Sequence, residues 1–274
     1  MTKQKNNQAL RALFSLPPIQ ESASTSIAVP EMPSQDVVTG DREVDAVLWL
    51  QRVVATGNES LIAKAMAAAE RITTPMKEIA ERYRDFVMLS GAHPLQVAFS
   101  TFGFGDLKDQ ARRAVEKSTR RHEAISRFGS LDALATPTPA EQECKKALRG
   151  LKRGELGWFD DDQARARFAR RAALVPATIT DCLHVRAYWN ELYRLRQAAI
   201  DNGDPWPGVW DHDTYCRWMM AQIAPRDRAE AIAAFEHATE DEGIHGTDDE
   251  VPILRNLMVS GWDAAEKAQE VSNG

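Results

Sequence analysis

The side chains best suited to chemistry are six histidines and three cysteines set among 40 acidic residues. His212 stands between Asp211 and Asp213, with His237, Asp241 and His245 further on. Divalent cations take ligands of these types, and His237 and Asp241, four apart, share one helix face. Gly243 ends that helix and no Glu-x-x-His pair lies within it, so the group reads as solvated acidic surface. Neither a metal nor a cofactor is expected. Cys144, Cys182 and Cys216 are odd in number, far apart and without a CxxC pair, which suits neither a disulfide framework nor zinc. They point to a reducing, cytoplasmic setting. The sequence has no GxxxxGK[ST] loop, GxSxG elbow or HExxH pair, and the GFG at 103–105 follows a helical pattern and reads as a turn. The chain is expected not to be an enzyme.

One stretch has more specific spacing. RFARRAALVPATITDCLHV, residues 167–185, sets Phe168, Ala169, Ala172 and Ala173 on a first helix. Leu174, Val175 and Pro176 then form a turn, and Ile179 and Cys182 occupy the inner face of a second helix. Ala169 is small where two steeply crossed helices would meet, and Pro176 suits the opening of the second helix, where its missing N–H is not needed. Over residues 164–185 the sequence resembles the helix-turn-helix DNA-binding motif, with Ala173 where that motif commonly has glycine.

The resemblance implies a partner and a set of contacts. Duplex DNA would lie against Arg165, Arg167, Arg170, Arg171 and Arg186 through its phosphates. Thr178, Thr180, Asp181 and His184, at the amino-terminal end of the second helix, would face the bases. A regulator of this kind acts as a homodimer, since one module reads few base pairs. The same spacing also describes a purely structural helix pair with solvated arginines.

From residue 41 onward the pattern has a helical period without alternating β-branched runs, so the fold class is all-α, a multi-helix protein with a flexible N-terminal arm. Val44, Val47, Leu48 and Val54 share a face that ends at Gly57. Thr74-Pro75 reads as a cap with a first-turn proline for a helix that stops at Gly91. His93-Pro94 opens a short helix through Phe99, and a long polar helix follows the GFG turn. Thr138-Pro139-Ala140-Glu141 has capping-box spacing, which Asp160 and Gln163 repeat before the quoted stretch. The second helix of that stretch runs on to Ile200. The segment DPWPGVWDHDTYCRWMM reads as a turn, followed by helices around RDRAEAIAAFEHATEDE and VPILRNLMVSGWDAAEKA.

Composition and charge divide the chain. Hydrophobic residues make up 43% and charged ones 27%, a globular balance that excludes wholesale disorder. No apolar run approaches the roughly 20 residues that span a bilayer, so no membrane is expected. Lys and Arg number 10 against 11 acidic residues over 1–104, 19 against 13 over 105–200, and 5 against 16 over 201–274. A basic middle can face phosphates, and an acidic tail can shield it or engage a basic partner. Four regions follow: an arm over 1–40 with a Pro/Ser linker, a helical region over 41–135, the basic region over 136–203, and an acidic, Trp-rich region over 204–274.

A second function class remains open beside DNA binding, that of a non-enzymatic inhibitor or adaptor acting on a protein partner. Leu10, Leu13 and Phe14 line one face of a short helix that is either a frayed tail or an anchor laid into a groove. Trp206 and Trp210 belong to an aromatic group that is either a core plug or an exposed hot spot.

Overall fold

The structure, a computed structural model, describes residues 5–20, 31–154, 159–200, 205–206, 208–241 and 243–259. Among these residues the regular structure is helical and no strand occurs, as the 3.6-residue period requires. In chain order the helices are α1 (Gln8–Leu13), α2 (Arg42–Ala55), α3 (Glu59–Ala69), α4 (Met76–Leu89), α5 (Pro94–Phe99) and α6 (Leu107–Phe128). They continue as α7 (Leu131–Ala135), α8 (Pro139–Ala147), α9 (Asp161–Phe168), α10 (Ile179–Ala199), α11 (Val209–Met220) and α12 (Arg228–Glu240). A further helical run covers 250–259. Among the described residues no helix is long and apolar enough to cross a membrane.

The chain forms two compact units, one of Ile19–Ser130 and one of Met1–Pro18 with Leu131–Gly274. Sequence composition changes near 135 and 203. The structure parts the chain at Ser130 and gathers the basic and acidic regions, with the amino-terminal helix, into one unit.

In the unit of residues 19–130, Asp41 caps α2 by accepting from the amides of Glu43 and Val44. The buried stripe of α2 reaches in two directions. Val44 and Val47 meet Ile79 and Phe104, while Leu50 and Val53 meet Ala65 and Leu107. Gly57 ends the turn with φ +64°, and a Cβ there would stand 2.6 Å from the Ala114 carbonyl of α6, so only glycine fits. Thr74 does not act as the cap of α4. Pro75 holds that position, and the Thr74 hydroxyl instead donates to Glu43 Oε1 at 2.8 Å, a tertiary bond that overrides the local one. Leu89, Leu95, Phe99 and Phe102, at the end of α4 and around α5, are left 62–84% exposed.

In the other unit α10 is the central element. Its buried residues include Cys182, Val185, Trp189, Leu192 and Leu195, and also Asp181, Arg186 and Arg196. A helix buried on more than one side needs neighbours all round, and α10 has α11, α12, α1 and α7. The expected turn over DHDTYCRWMM is corrected here. Those residues belong to α11, whose inward positions Val209, His212, Cys216 and Met220 follow helical spacing once the histidine is counted as a core residue.

The amino-terminal segment is neither a frayed tail nor an anchor presented to a partner, because its apolar face is buried within its own unit. Leu10 and Phe14 are 0% and 1% exposed. Phe14 stacks on His212 at 5.0 Å between centroids and meets Tyr188 and Trp189 edge-on. Residues 21–30 of the expected linker lie outside the described residues.

Candidate functional site

The stretch 164–185 divides differently from the tight helix-turn-helix. Its first helix is expected to run to Ala173, yet α9 stops at Phe168, and a single 3-10 turn, Ala172–Leu174, precedes α10. Two local facts divide the stretch. Arg171 is extended (φ −117°, ψ 95°) and keeps the helix from continuing into Ala172, and Val175, held extended by the Pro176 ring, ends the 3-10 turn that follows. The main packing partners of α9 are α11 and α8, and α10 is not among them. Phe168, Leu174, Ile179 and Cys182 are nevertheless fully buried, so the apolar spacing records core positions.

The amino-terminal end of α10 is closed by the protein itself. Thr178, fully buried, caps the helix by accepting from the Asp181 amide at 3.1 Å, and its hydroxyl donates to Asn6 Oδ1. Asp181, also fully buried, accepts from the Asn7 and Ala177 amides at 2.8 and 3.1 Å and from Arg11 Nε at 2.7 Å. Thr180 donates through its amide to Glu230 Oε1 at 2.7 Å and accepts from Arg226 Nη2 at 2.8 Å. His184 Nε2 stands 3.3 Å from the Arg11 carbonyl. All four residues of the expected base-facing set are thus engaged inside the unit, under α1 and the start of α12.

The expected phosphate contacts separate into two groups. Arg186 is buried, and its guanidinium donates to Asp213 at 2.8 Å, Asp241 at 3.2 Å and His237 Nε2 at 2.7 Å. Burial first, and the Arg186 charge second, hold the His237 pKa below its ordinary value, in keeping with a neutral ring that accepts from Arg186. Arg165 lies against Asp161 and Asp162 and over the Trp218 ring. Arg170 and Arg171 are exposed and Arg167 is half-buried; Arg167 and Arg170 have no ion pair among the described residues.

A cationic feature that the motif did not indicate lies beside Arg171. Glu143 joins two elements by receiving Lys146 Nζ at 2.7 Å and Arg171 Nη1 at 3.5 Å. Arg171 also donates to the Lys146 carbonyl at 3.3 Å. Lys145, Arg149, Lys152 and Arg153 continue this exposed surface along the chain from α8. The segment CKKALRGLKRG carried the signal as a run of five cations without a carboxylate.

The other expected surfaces are also placed. Leu13 is half-buried behind Leu10 and Phe14. Trp206 is half-buried with Lys145 Nζ 5.8 Å from its ring centre, and Trp210 is 54% exposed. The His/Asp group disperses. His212 is inside the core with Nε2 3.0 Å from the Leu174 carbonyl, His237 and Asp241 join Arg186, and His245 meets Glu250. Cys144, Cys182 and Cys216 are all buried, which pushes each thiol pKa well up and leaves them as apolar packing groups.

The fold and this surface define a two-unit helical protein with a cationic face on one unit. No protein family, curated protein or solved structure matches the chain.

Proposed function

We propose that this chain is a non-enzymatic nucleic-acid-binding protein that grips phosphates and does not read bases through α10. The Glu143 bridge carries the proposal, because it holds Lys146 and Arg171 together on a surface shared with Lys145, Arg149 and Arg153. Cations from separate elements, fixed side by side and without equal numbers of carboxylates, suit a polyanion. Duplex DNA is the partner to test first. Its affinity should fall steeply with salt, and replacing Lys145, Arg170 and Arg171 by glutamine should flatten the log–log slope by about 0.9 for each phosphate the variant no longer neutralises. No binding at low salt would remove duplex DNA, and an unchanged slope in the variant would remove these three cations from the interface.

A second function class, self-association through a protein interface, is favoured by a different observation. Leu89, Leu95, Phe99 and Phe102 are exposed, and the sequence from Leu89 to Gly105 contains no Lys, Arg, Asp or Glu. Several large exposed apolar side chains grouped in one uncharged stretch of sequence favour an interaction site. Apart from Arg84, whose Nη2 lies 3.4 Å from Thr101 Oγ1, the segment offers a charged partner no counter-charge and complements itself, so its occupant is a second copy of this chain. Sedimentation should show a dimer that Phe99→Ser with Phe102→Ser converts to monomer; a wild-type monomer at high concentration would refute it.

A further inference from the structure

Between the carboxyl end of α8 and Phe159 lies a pocket of about 540 Å³. Its volume is that of a small-ligand site. Leu148 and Phe159 give it apolar walls, and Lys145, Lys146, Arg149 and Arg153 line it, with no carboxylate among the described lining residues. Glu143 already holds Lys146, and the other three cations, which have no ion pair among the described residues, repel one another beside the apolar floor and are relieved by an anion that also carries a hydrophobic body. Phe159 adds a directional requirement. The Arg153 guanidinium lies over its ring, 5.1 Å from the centre, so the aromatic face takes a flat group, and a base would replace Arg153 there as its guanidinium turns to a phosphate. A nucleobase is flat, and stacking on an aromatic ring tolerates any base.

From this arrangement we infer that the pocket receives an unpaired nucleotide of a single strand. The base lies against Phe159 and Leu148, and the adjoining phosphates engage Lys145, Lys146, Arg149 and Arg153. The inference rests on the nucleic-acid reading above and narrows it, because a duplex keeps its bases stacked and cannot fill the pocket. The cations serve both strands; the ring serves only the single one.

Fluorescence anisotropy with a labelled oligothymidine strand, an abasic strand and a duplex of equal length, all at one salt concentration, tests this. Oligothymidine should bind more tightly than the other two. Phe159→Ala should weaken it about tenfold, leave the duplex unchanged, and be reversed by Phe159→Trp. Arg149→Glu, at an exposed position without an ion pair among the described residues, should weaken single-strand binding with no change in the circular dichroism spectrum. If duplex and oligothymidine both bind and Phe159→Ala affects neither, the pocket inference fails while phosphate binding stands. If none of the three ligands binds, both fail together.

Discussion

Arg11 Nε lies 2.7 Å from Asp181 Oδ1, joining a residue of the amino-terminal helix to the first turn of α10 across 170 positions of sequence. Asp181 is wholly buried, so this contact does more than decorate a surface. Arg11→Ala leaves a buried carboxylate with two amide donors and no counter-charge bonded to it directly. Removing one partner of such a pair costs about 3 kcal/mol, and urea unfolding should show that loss. A change within about 0.5 kcal/mol, the range of ordinary surface substitutions, would show that water takes the place of Arg11.

Phe14 makes the same segment part of the core. It is 1% exposed and touches His212, Tyr188 and Trp189, so Phe14→Ala should cost about 3–5 kcal/mol. Deleting residues 1–16 removes Leu10 as well. The unit of 131–274 should then lose cooperative thermal unfolding, whereas a tail that merely rests on the surface would come away with little change in melting temperature.

Much of the fold was legible because it depends on local rules. The Thr138–Glu141 capping box and the Asp160 cap form as spaced, the long polar helix becomes α6, and α10 ends one residue before Ile200. What escaped depends on distant partners. α11 was hidden because His212 counts as polar in sequence, while in the core it sits between Phe14 and the Leu174 carbonyl. Thr178, Thr180 and Asp181 looked free for bases because nothing local reveals that Asn6, Arg11 and Glu230 meet them. The Lys145–Arg153 cations were visible as a charge run, but their link to Arg171 through Glu143 exists only in three dimensions.

A second buried ion pair gives a sharper test of how the core is held. Arg196 and Glu141 are 3% and 1% exposed and meet through two parallel contacts, one of 2.9 Å. Arg196 also donates to the Leu134 and Thr136 carbonyls, and Glu141 accepts from the Thr138 amide at 2.7 Å. Glu141→Ala strips Arg196 of its counter-charge and α8 of half its capping box, so a loss of about 3–5 kcal/mol is expected. Arg196→Met combined with Glu141→Leu removes both charges together and should cost less than Glu141→Ala alone, by denaturant titration. A double variant as unstable as the sum of the two single ones would mean that the charges do not act as a pair.

His212 sets a pH dependence with a definite sign. Burial pushes its pKa from an ordinary 6.5 down to about 4, against a smaller upward pull from the Leu174 carbonyl. The unfolded chain therefore binds a proton at this residue near pH 6.5, while the folded chain resists it until about pH 4. Between those values the unfolded state holds more protons, so stability is complete above the window and falls as pH drops through it. A shift of this size corresponds to about 3 kcal/mol. His212→Phe keeps an aromatic ring against Phe14 but cannot take the proton. It should lose about 1 kcal/mol at neutral pH with the Leu174 hydrogen bond and then flatten the acid limb of the stability curve. Equal slopes for wild type and variant between pH 6.5 and 4 would mean that His212 takes up its proton without unfolding the unit.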